Sequence, residues 1–316
     1  MSDAYWIVLF IAAVGGMTAL VVLRSLFGGW RISPWKQSVE VTVERWEEEF
    51  QHAQPLGVTP MNCGYAKAES DYRSWLDTES LPPEYPLHEA AAVPVVCFAV
   101  RHPQQGDLLI DSGLNGSFAQ QPNGDLPGFM VNFQRKNHYR YVQHAGQGLG
   151  AQLHALSMDP RLVLMTHMHP DHTAGLTEVS PLSTILFGKR ESSIFYRLIN
   201  HRYTKNMAKM QTLDFSRARP LGPFSMVLDL FGDMSVLAIS SRGHTIDHIS
   251  YFINDSDSPT LIAGDLAISD EYLYNDYRIS IDSGKRGMEQ LLQNLKELKE
   301  FSRLFPHVKT LYCHDF

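Results

Sequence analysis

The chain has 316 residues, 44% of them hydrophobic and 19% charged, with 27 Lys and Arg against 34 Asp and Glu for a formal net charge of −7. That balance describes a globular protein with a sizeable core and excludes a disordered or fibrous chain. It also argues against nucleic acid as the main ligand, which needs clustered cations, and three cysteines (Cys63, Cys97, Cys313) are too few for a disulfide framework.

The first element is apolar. Tyr5 to Leu23 forms a run of nineteen residues without a formal charge, and at ~1.5 Å per residue such a run spans a hydrocarbon core of ~30 Å. It predicts an N-terminal transmembrane helix within residues 1–30. Tyr5 and Trp6 flank it on one side, with Phe27, Trp30 and Trp35 on the other, where interfacial aromatics sit. Asp3 precedes the run without any Lys or Arg, and no small-x-small site comes before Arg24, which speaks against a cleaved signal. A buried core helix is the other alternative. Arg24, Arg31 and Lys36 all follow the run, and the positive-inside rule then places the catalytic body at the membrane on its cytoplasmic side. Residues 31–55 read as an acidic connector, or as the first packed element of the domain, with Trp46 and Phe50 one helical turn apart. Residues 56–316 form the body.

Short β-branched runs then recur and predict strands: Val93–Val100, Asp107–Gly113, Arg161–His167, and further runs beginning at Ser183, Ser225, Ser235, His248, Thr260 and Val308. Ser192–Met210 and Gly287–Phe305 read as helices, the latter with Leu291, Leu292, Leu295 and Leu298 as an apolar stripe. The class is α/β. Between Lys189 and Arg219 the chain carries Lys189, Arg190, Arg197, Arg202, Lys205, Lys209, Arg217 and Arg219 against only Glu191 and Asp214. With Phe195, Tyr196, Tyr203, Met207 and Met210 interleaved, this reads as an amphipathic lid that meets membrane or substrate, or as a solvated face over a buried stripe. Asn115–Tyr141, with Phe118, Phe129, Phe133 and Tyr139, is a candidate for the facing wall.

Of the fourteen histidines, the densest group follows the run Arg161–Thr166: His167-Met168-His169-Pro170-Asp171-His172. His167 and His169 are two apart, so an extended backbone points both imidazoles the same way. Pro170 then forces a turn that redirects Asp171 and His172. Neutral imidazoles with a carboxylate suit zinc or a similar first-row ion. His244 lies in Gly243-His244-Thr245-Ile246-Asp247-His248, Asp265 ends the strand begun at Thr260, and His314 follows the last strand. Any one of these at a strand end is more often an ordinary hydrogen-bonding group. Asp247 and His248 read as hydrogen-bond partners of the loop, and Cys313 as a buried thiol.

This HxHxDH pattern, with the later GHT, GD and terminal His in order and an upstream Asp111 in Leu108-Leu109-Ile110-Asp111-Ser112-Gly113, resembles the metallo-β-lactamase superfamily. The resemblance implies a four-layer αββα sandwich carrying the N-terminal transmembrane helix. It implies two divalent transition metal ions, zinc foremost with iron or manganese as alternatives. One would take His167, His169 and His244, the other Asp171, His172 and His314, and Asp265 would bridge them. Asp171 and Asp265 are then the catalytic carboxylates, and Asp111 orients the metal loop. Five imidazoles and two carboxylates exceed one tetrahedral ion but suit two ions with an open position for water. A hydroxide held between two cations is a nucleophile at neutral pH.

The pattern looks most like the N-acyl-homoserine lactone lactonase branch, which implies cleavage of an ester or lactone in a small acyl or lipid-like substrate. Thioester hydrolysis of the glyoxalase II type, phosphodiester cleavage of the phospholipase D type, and a membrane-tethered metal-binding scaffold are the alternatives. One departure bears on lactone specificity. The lactonase branch places a Tyr just after the bridging Asp, where this chain has Leu266-Ala267-Ile268, with Tyr272 and Tyr274 the nearest phenols. Oligomeric state is not legible in the sequence.

Overall fold

Along Ala92–His102, Val96, Phe98 and Val100 alternate with Val95, Cys97 and Ala99, and both sets are buried. A strand buried on both faces has to lie inside a stack of layers, because successive side chains point to opposite faces. The computed structural model describes residues 32–68, 80, 92–279 and 284–316, and its layers follow that rule. Val96, Phe98 and Val100 meet Ile249, Tyr251, Ile253 and Ile262 in a core between two sheets. Val95, Cys97 and Ala99 turn outward to a second core shared with Leu149, Leu153, Ile199 and Tyr203 from helices. On the far side, Phe252, Leu261 and Ala263 pack against Leu291, Leu295, Leu298 and Phe301 of the helix Gly284–Leu304. The order is helix, sheet, sheet, helix: a four-layer αββα sandwich.

The first sheet has eight strands in the order Ile32–Pro34, Lys209–Leu213, Thr184–Gly188, Leu162–Leu164, Gly106–Ile110, Ala92–His102, Val58–Ala68 and Tyr139–Val142. The second has seven: Arg219–Leu221, Phe224–Asp229, Val236–Ser240, Ile249–Ile253, Thr260–Gly264 and Lys309–Tyr312, with Val39–Glu40 paired to Phe224–Asp229. Leu162–Leu164 lies parallel to both its neighbours, and Lys309–Tyr312 parallel to Thr260–Gly264. The ends that follow these strands gather at one edge of the sandwich, where the candidate ligands emerge.

Two expectations change. The predicted transmembrane helix falls on residues outside the described ones, and among the described residues no helix is long and apolar enough to cross a membrane. The fold class of the described residues is therefore the sandwich alone, and the membrane localisation and membrane partner inferred from that span are withdrawn. The basic segment is also not one helix. Ile194–Thr204 is helical and buries Tyr196, Ile199, Asn200, Tyr203 and Thr204, but Lys209–Leu213 is a strand of the first sheet. Half of its eight cations pair with acids: Lys189 with Asp214, Arg190 with Asp247, Arg202 with Asp125 and Arg219 with Glu40. The exposed pairs among them contribute little stability, but they break up the block of unpaired charge that the sequence presents.

Residues 31–55 contribute Trp46, which is buried on the second sheet with its ring 4.8 Å from Phe252 and 4.7 Å from Phe301. Its Nε1–H donates to the Leu221 carbonyl at 3.1 Å, so the polar end of the largest aromatic is satisfied where it is buried.

Candidate metal centre

The strand Leu162–Leu164 delivers Thr166 and His167 to the sandwich edge, where both are fully buried. His169 stands at the N-cap of the short helix Pro170–Thr173, with Pro170 in its first turn; proline fits there because that N–H has no helical partner. The turn sends His172 back under the loop. Its Nδ1 lies 2.8 Å from Asp111 Oδ2, and Asp111 also accepts from the Thr166 N–H at 2.8 Å and the Thr166 hydroxyl at 2.7 Å. Asp111 reaches these groups from a left-handed backbone at φ 55°, a conformation that Asp tolerates better than most residues. With Nδ1 engaged, His172 presents Nε2 to the interior.

Three imidazole nitrogens converge on one point. His167 Nε2 is 2.9 Å from His169 Nδ1, and His244 Nε2 is 3.1 Å from the same atom. Ligands of a tetrahedral zinc with bonds of ~2.0–2.1 Å stand ~3.3–3.4 Å apart, so small outward movements would accommodate an ion. A second group, Asp171, His172 and His314, also brings one donor atom each within 4.8 Å of the others, and His167, His172 and Asp265 form a third. Asp265 lies between them. Its Oδ2 is 3.1 Å from His314 Nε2, 3.6 Å from His244 Nε2 and 3.8 Å from His167 Nε2, while Oδ1 is 3.5 Å from His172 Nε2. His172 Nε2 and Asp265 Oδ1 are buried without a hydrogen-bond partner. Buried polar atoms are ordinarily satisfied, and two orphaned donor atoms aimed at one another fit a pair of divalent cations.

The charge states follow from these neighbours. Burial alone would raise the Asp265 carboxyl, but His314 and His172 beside it hold it well below the ordinary carboxylate range. Burial opposes protonation of His314, yet Asp265 and Asp171 outweigh it and push the imidazole up to about 9. His167, buried with His172 and His169 beside it, is held well below its usual value and so toward the neutral form that a metal would require. Asp265 thus sits ionised among imidazoles, with His172 and His314 held toward the charged form and His167 toward the neutral one.

His248 is bound elsewhere. Its Nδ1 lies 2.7 Å from the Ser241 hydroxyl and its Nε2 accepts from the Asp265 backbone N–H at 3.1 Å. It thus fixes the turn after Thr260–Gly264 that aims Asp265. Gly264 has φ 62°, and a Cβ there would lie 2.7 Å from His248 Nε2, so that position demands glycine twice over. Cys313 is buried with Sγ 3.4 Å from Asp111 Oδ2, and His314 Nδ1 lies 2.9 Å from the Pro94 carbonyl, which leaves Nε2 for the centre.

His169, Asp171, His244, Asp265 and His314 form the floor of a cavity of ≈ 460 Å³ whose walls include Ala66, Val93, Met130, Phe133, Phe195, Ile199, Ile268 and Ile279. A larger one, ≈ 620 Å³, is lined by Ile32, Trp35, Arg161 and Lys209 and contains none of the candidate ligands.

Residues 90–307 match the metallo-beta-lactamase superfamily. The chain belongs to that superfamily. Two curated relatives and two solved structures show how near its members come. A protein from Azorhizobium caulinodans described as N-acyl homoserine lactonase AttM is 25% identical over 187 residues, 55% of this chain and 65% of that protein. A hydroxyacylglutathione hydrolase of Hahella chejuensis is 34% identical over 110 residues, 34% of each chain. This chain thus spans less than two thirds of the length of those relatives. Among solved structures, a quorum-quenching N-acyl homoserine lactone hydrolase superposes with a TM-score of 0.60 at 16% identity, covering 84% of this chain and 94% of that one. An N-acyl homoserine lactone hydrolase with the product N-hexanoyl-L-homoserine at its catalytic metal centre gives a TM-score of 0.61 at 17% identity over the same shares. At such identities the likeness is one of fold.

In this metallo-beta-lactamase superfamily member the phenols that reach the cavity are Tyr139 and Tyr141, not Tyr272 or Tyr274. They lie two apart on the strand Tyr139–Val142, opposite Ala68 and Ala66, whose small side chains leave room for the rings. The Tyr141 hydroxyl hydrogen-bonds to Asp171; burial foremost, then Asp171, keeps that phenol protonated. Sequence reasoning placed Tyr139 on the facing wall but passed over Tyr141, although the two-residue period of Tyr-Arg-Tyr-Val was a visible signal. Of the other residues proposed for that wall, Phe133 lines the cavity, Phe118 is buried in the outer core and Phe129 is exposed.

Proposed function

We propose that the protein is a binuclear metal-dependent hydrolase that opens an ester or lactone bond in an apolar acyl substrate. The observation that carries this reading is Asp265: one buried carboxylate within 3.8 Å of His167, His172, His244 and His314, on the floor of a mainly apolar cavity. His167, His169 and His244 would hold one divalent cation, zinc by the chemistry of the donors, and Asp171, His172 and His314 the other, with Asp265 shared. When bound, the cations supply Lewis acidity and lower the pKa of a coordinated water.

The remaining work falls to the chain itself. Thr166 and Asp111 orient His167 and His172 through the hydrogen bonds given above, which sets which nitrogen each presents. The Tyr141 hydroxyl holds Asp171, and Tyr139 beside it offers a second phenol to a substrate oxygen. The apolar walls from Met130 to Ile279 exclude water from the reacting bond and receive the acyl chain. The names of the relatives, an acyl homoserine lactonase and a hydroxyacylglutathione hydrolase, support acyl transfer to water and differ in the bond broken.

A hydrolysis panel of acyl lactones, aryl esters, thioesters and lipid phosphodiesters on zinc-loaded protein tests the reading. Lactones and aryl esters should turn over fastest. Activity confined to thioesters or phosphodiesters would overturn the substrate class, and turnover of none by protein holding two zinc ions would favour a metal-binding scaffold.

A further inference from the structure

The basic segment after Lys189 supplies Phe195 and Ile199 to the cavity wall, and hydrogen bonds tie both of its ends to the loops that carry the candidate ligands. Asp247, buried just beyond His244, accepts from the Arg190 N–H at 2.8 Å, from Arg190 Nε at 3.2 Å and Nη2 at 3.1 Å, and from Arg242 Nε at 2.9 Å. Its own N–H donates to Glu191 at 2.9 Å. Gly188 makes the approach possible: a Cβ there would sit 2.3 Å from the Asp247 carbonyl oxygen. One helix later, Asn200 is fully buried and its Nδ2 donates to the Met168 carbonyl at 2.8 Å. Thr173 donates to Asn200 Oδ1 at 2.6 Å and to the His169 carbonyl at 3.0 Å.

Between these anchors the chain is hydrogen-bonded turn and helix. Arg190 lies in the 3₁₀ turn Lys189–Ser192, Ser193 caps the helix Ile194–Thr204 by accepting from the Tyr196 N–H, and Arg197 Nε closes back on the Ser192 carbonyl at 2.9 Å. His169 and His244 follow strands of different sheets, which a backbone hydrogen bond from the Ile249 N–H to the Thr166 carbonyl at 2.9 Å joins beside the site; the segment Lys189–Thr204 adds a second connection between the two loops.

We propose that Lys189–Thr204 is a brace that sets the distance between the two halves of the three-histidine site, with Asp247 and Asn200 as its positioning residues. Arg190 fixes the His244 loop at one end and Asn200 fixes the His167–His169 loop at the other. The proposal rests on the two-metal reading above; its Asp247 end bears on the three-histidine site alone, whereas its Asn200 end also meets Thr173, next to His172.

The test is zinc binding by the full chain, measured by chelator competition together with the visible spectrum of the cobalt-loaded protein. Asp247→Asn should weaken one of two zinc ions about 10- to 100-fold, the usual cost of losing a partner that orients a ligand, and leave the other unchanged. Asn200→Ala should weaken the same ion by a similar factor. Arg190→Ala removes a half-exposed side chain that the fold tolerates and should act in the same direction, so it decides the matter if a buried variant fails to fold. Lys189→Ala, which breaks only an exposed pair with Asp214 on the same segment, should change neither ion. Wild-type affinity for both ions in Arg190→Ala and Asp247→Asn, or equal loss of both ions, overturns the brace. Absence of zinc from the wild type would instead overturn the two-metal reading.

Discussion

Asp265 and Glu49 are both buried carboxyls, and each keeps one oxygen without a hydrogen-bond partner, Oδ1 and Oε2 respectively. Their neighbours are opposite. Asp265 faces His314 and His172, which overcome the cost of burial and hold it ionised. Glu49 accepts from Asn254 Nδ2 at 3.1 Å but has Asp229 and Asp233 nearby, and burial followed by those acids pushes it up to about 8. Burial alone would favour the neutral form in both. What differs is the sign of the surroundings: an orphaned oxygen among imidazoles is a place for a cation, whereas one among carboxyls is a place for a proton.

Breaking that contrast should have its largest effect at Asp265. Asp265→Ala should remove both metal ions together and reduce turnover by at least ~10³-fold, since a shared ligand serves both cations. Metal analysis beside the hydrolysis panel checks this, and loss of only one ion would show that the carboxylate does not bridge. Asp111→Asn tests the layer beneath. Asn tolerates the left-handed backbone but carries no charge toward His172 Nδ1, so zinc affinity should fall roughly 10- to 100-fold with the fold intact. Chelator competition reads that shift.

Tyr141→Phe is a smaller perturbation. It removes the hydrogen bond to Asp171 and a donor in the cavity, and kcat should fall about tenfold at unchanged zinc content. Unchanged kinetics would mean that Tyr141 only fills space.

The smallest effect belongs to the other carboxyl, and its sign follows from linkage. Glu49 binds its proton more tightly when folded than at its ordinary value of 4.5. The stabilisation it contributes is therefore complete below pH 4.5 and is lost as pH rises through about 8. Glu49→Gln keeps a neutral group there at every pH. Its melting temperature relative to wild type should rise by a few °C, on the order expected for one such group, between pH 5 and 8. Thermal scans at several pH values decide it, and a difference independent of pH would refute the assignment. Activity should not change.

Much of the sandwich was legible because each strand buries two faces. Runs such as Val93–Val100 and Thr260–Gly264 announce themselves by continuous apolar character, and the stripe in Gly284–Leu304 by its helical period. Tyr139–Val142 escaped because it is a short, polar edge strand, and Val58–Ala68 because Pro60, Asn62 and Gly64 interrupt its pattern; the ladder absorbs the last two as a bulge between Asn62 and Tyr65. The helical reading of Ser192–Met210 runs two residues into the strand Lys209–Leu213, because the pairing with Thr184–Gly188 that overrides local preference there is not visible in the sequence. The apolar run Tyr5–Leu23 shows the converse hazard: hydropathy alone carried the membrane expectation, and no helix among the described residues supports it.

For the candidate ligands, spacing along the chain was already enough to group His167, His169, Asp171 and His172, because residue types and intervals within a turn determine which way neighbouring side chains can point. Membership of the superfamily follows from the same ordered motifs. Only the tertiary structure decided that Asp265 reaches both histidine groups, that Tyr141 rather than Tyr272 or Tyr274 faces the cavity, and that Arg190, Arg202 and Arg219 are tied to acids elsewhere in the chain. Those outcomes depend on residues far apart in sequence, brought together by sheet order and sandwich packing. No local period encodes such separations.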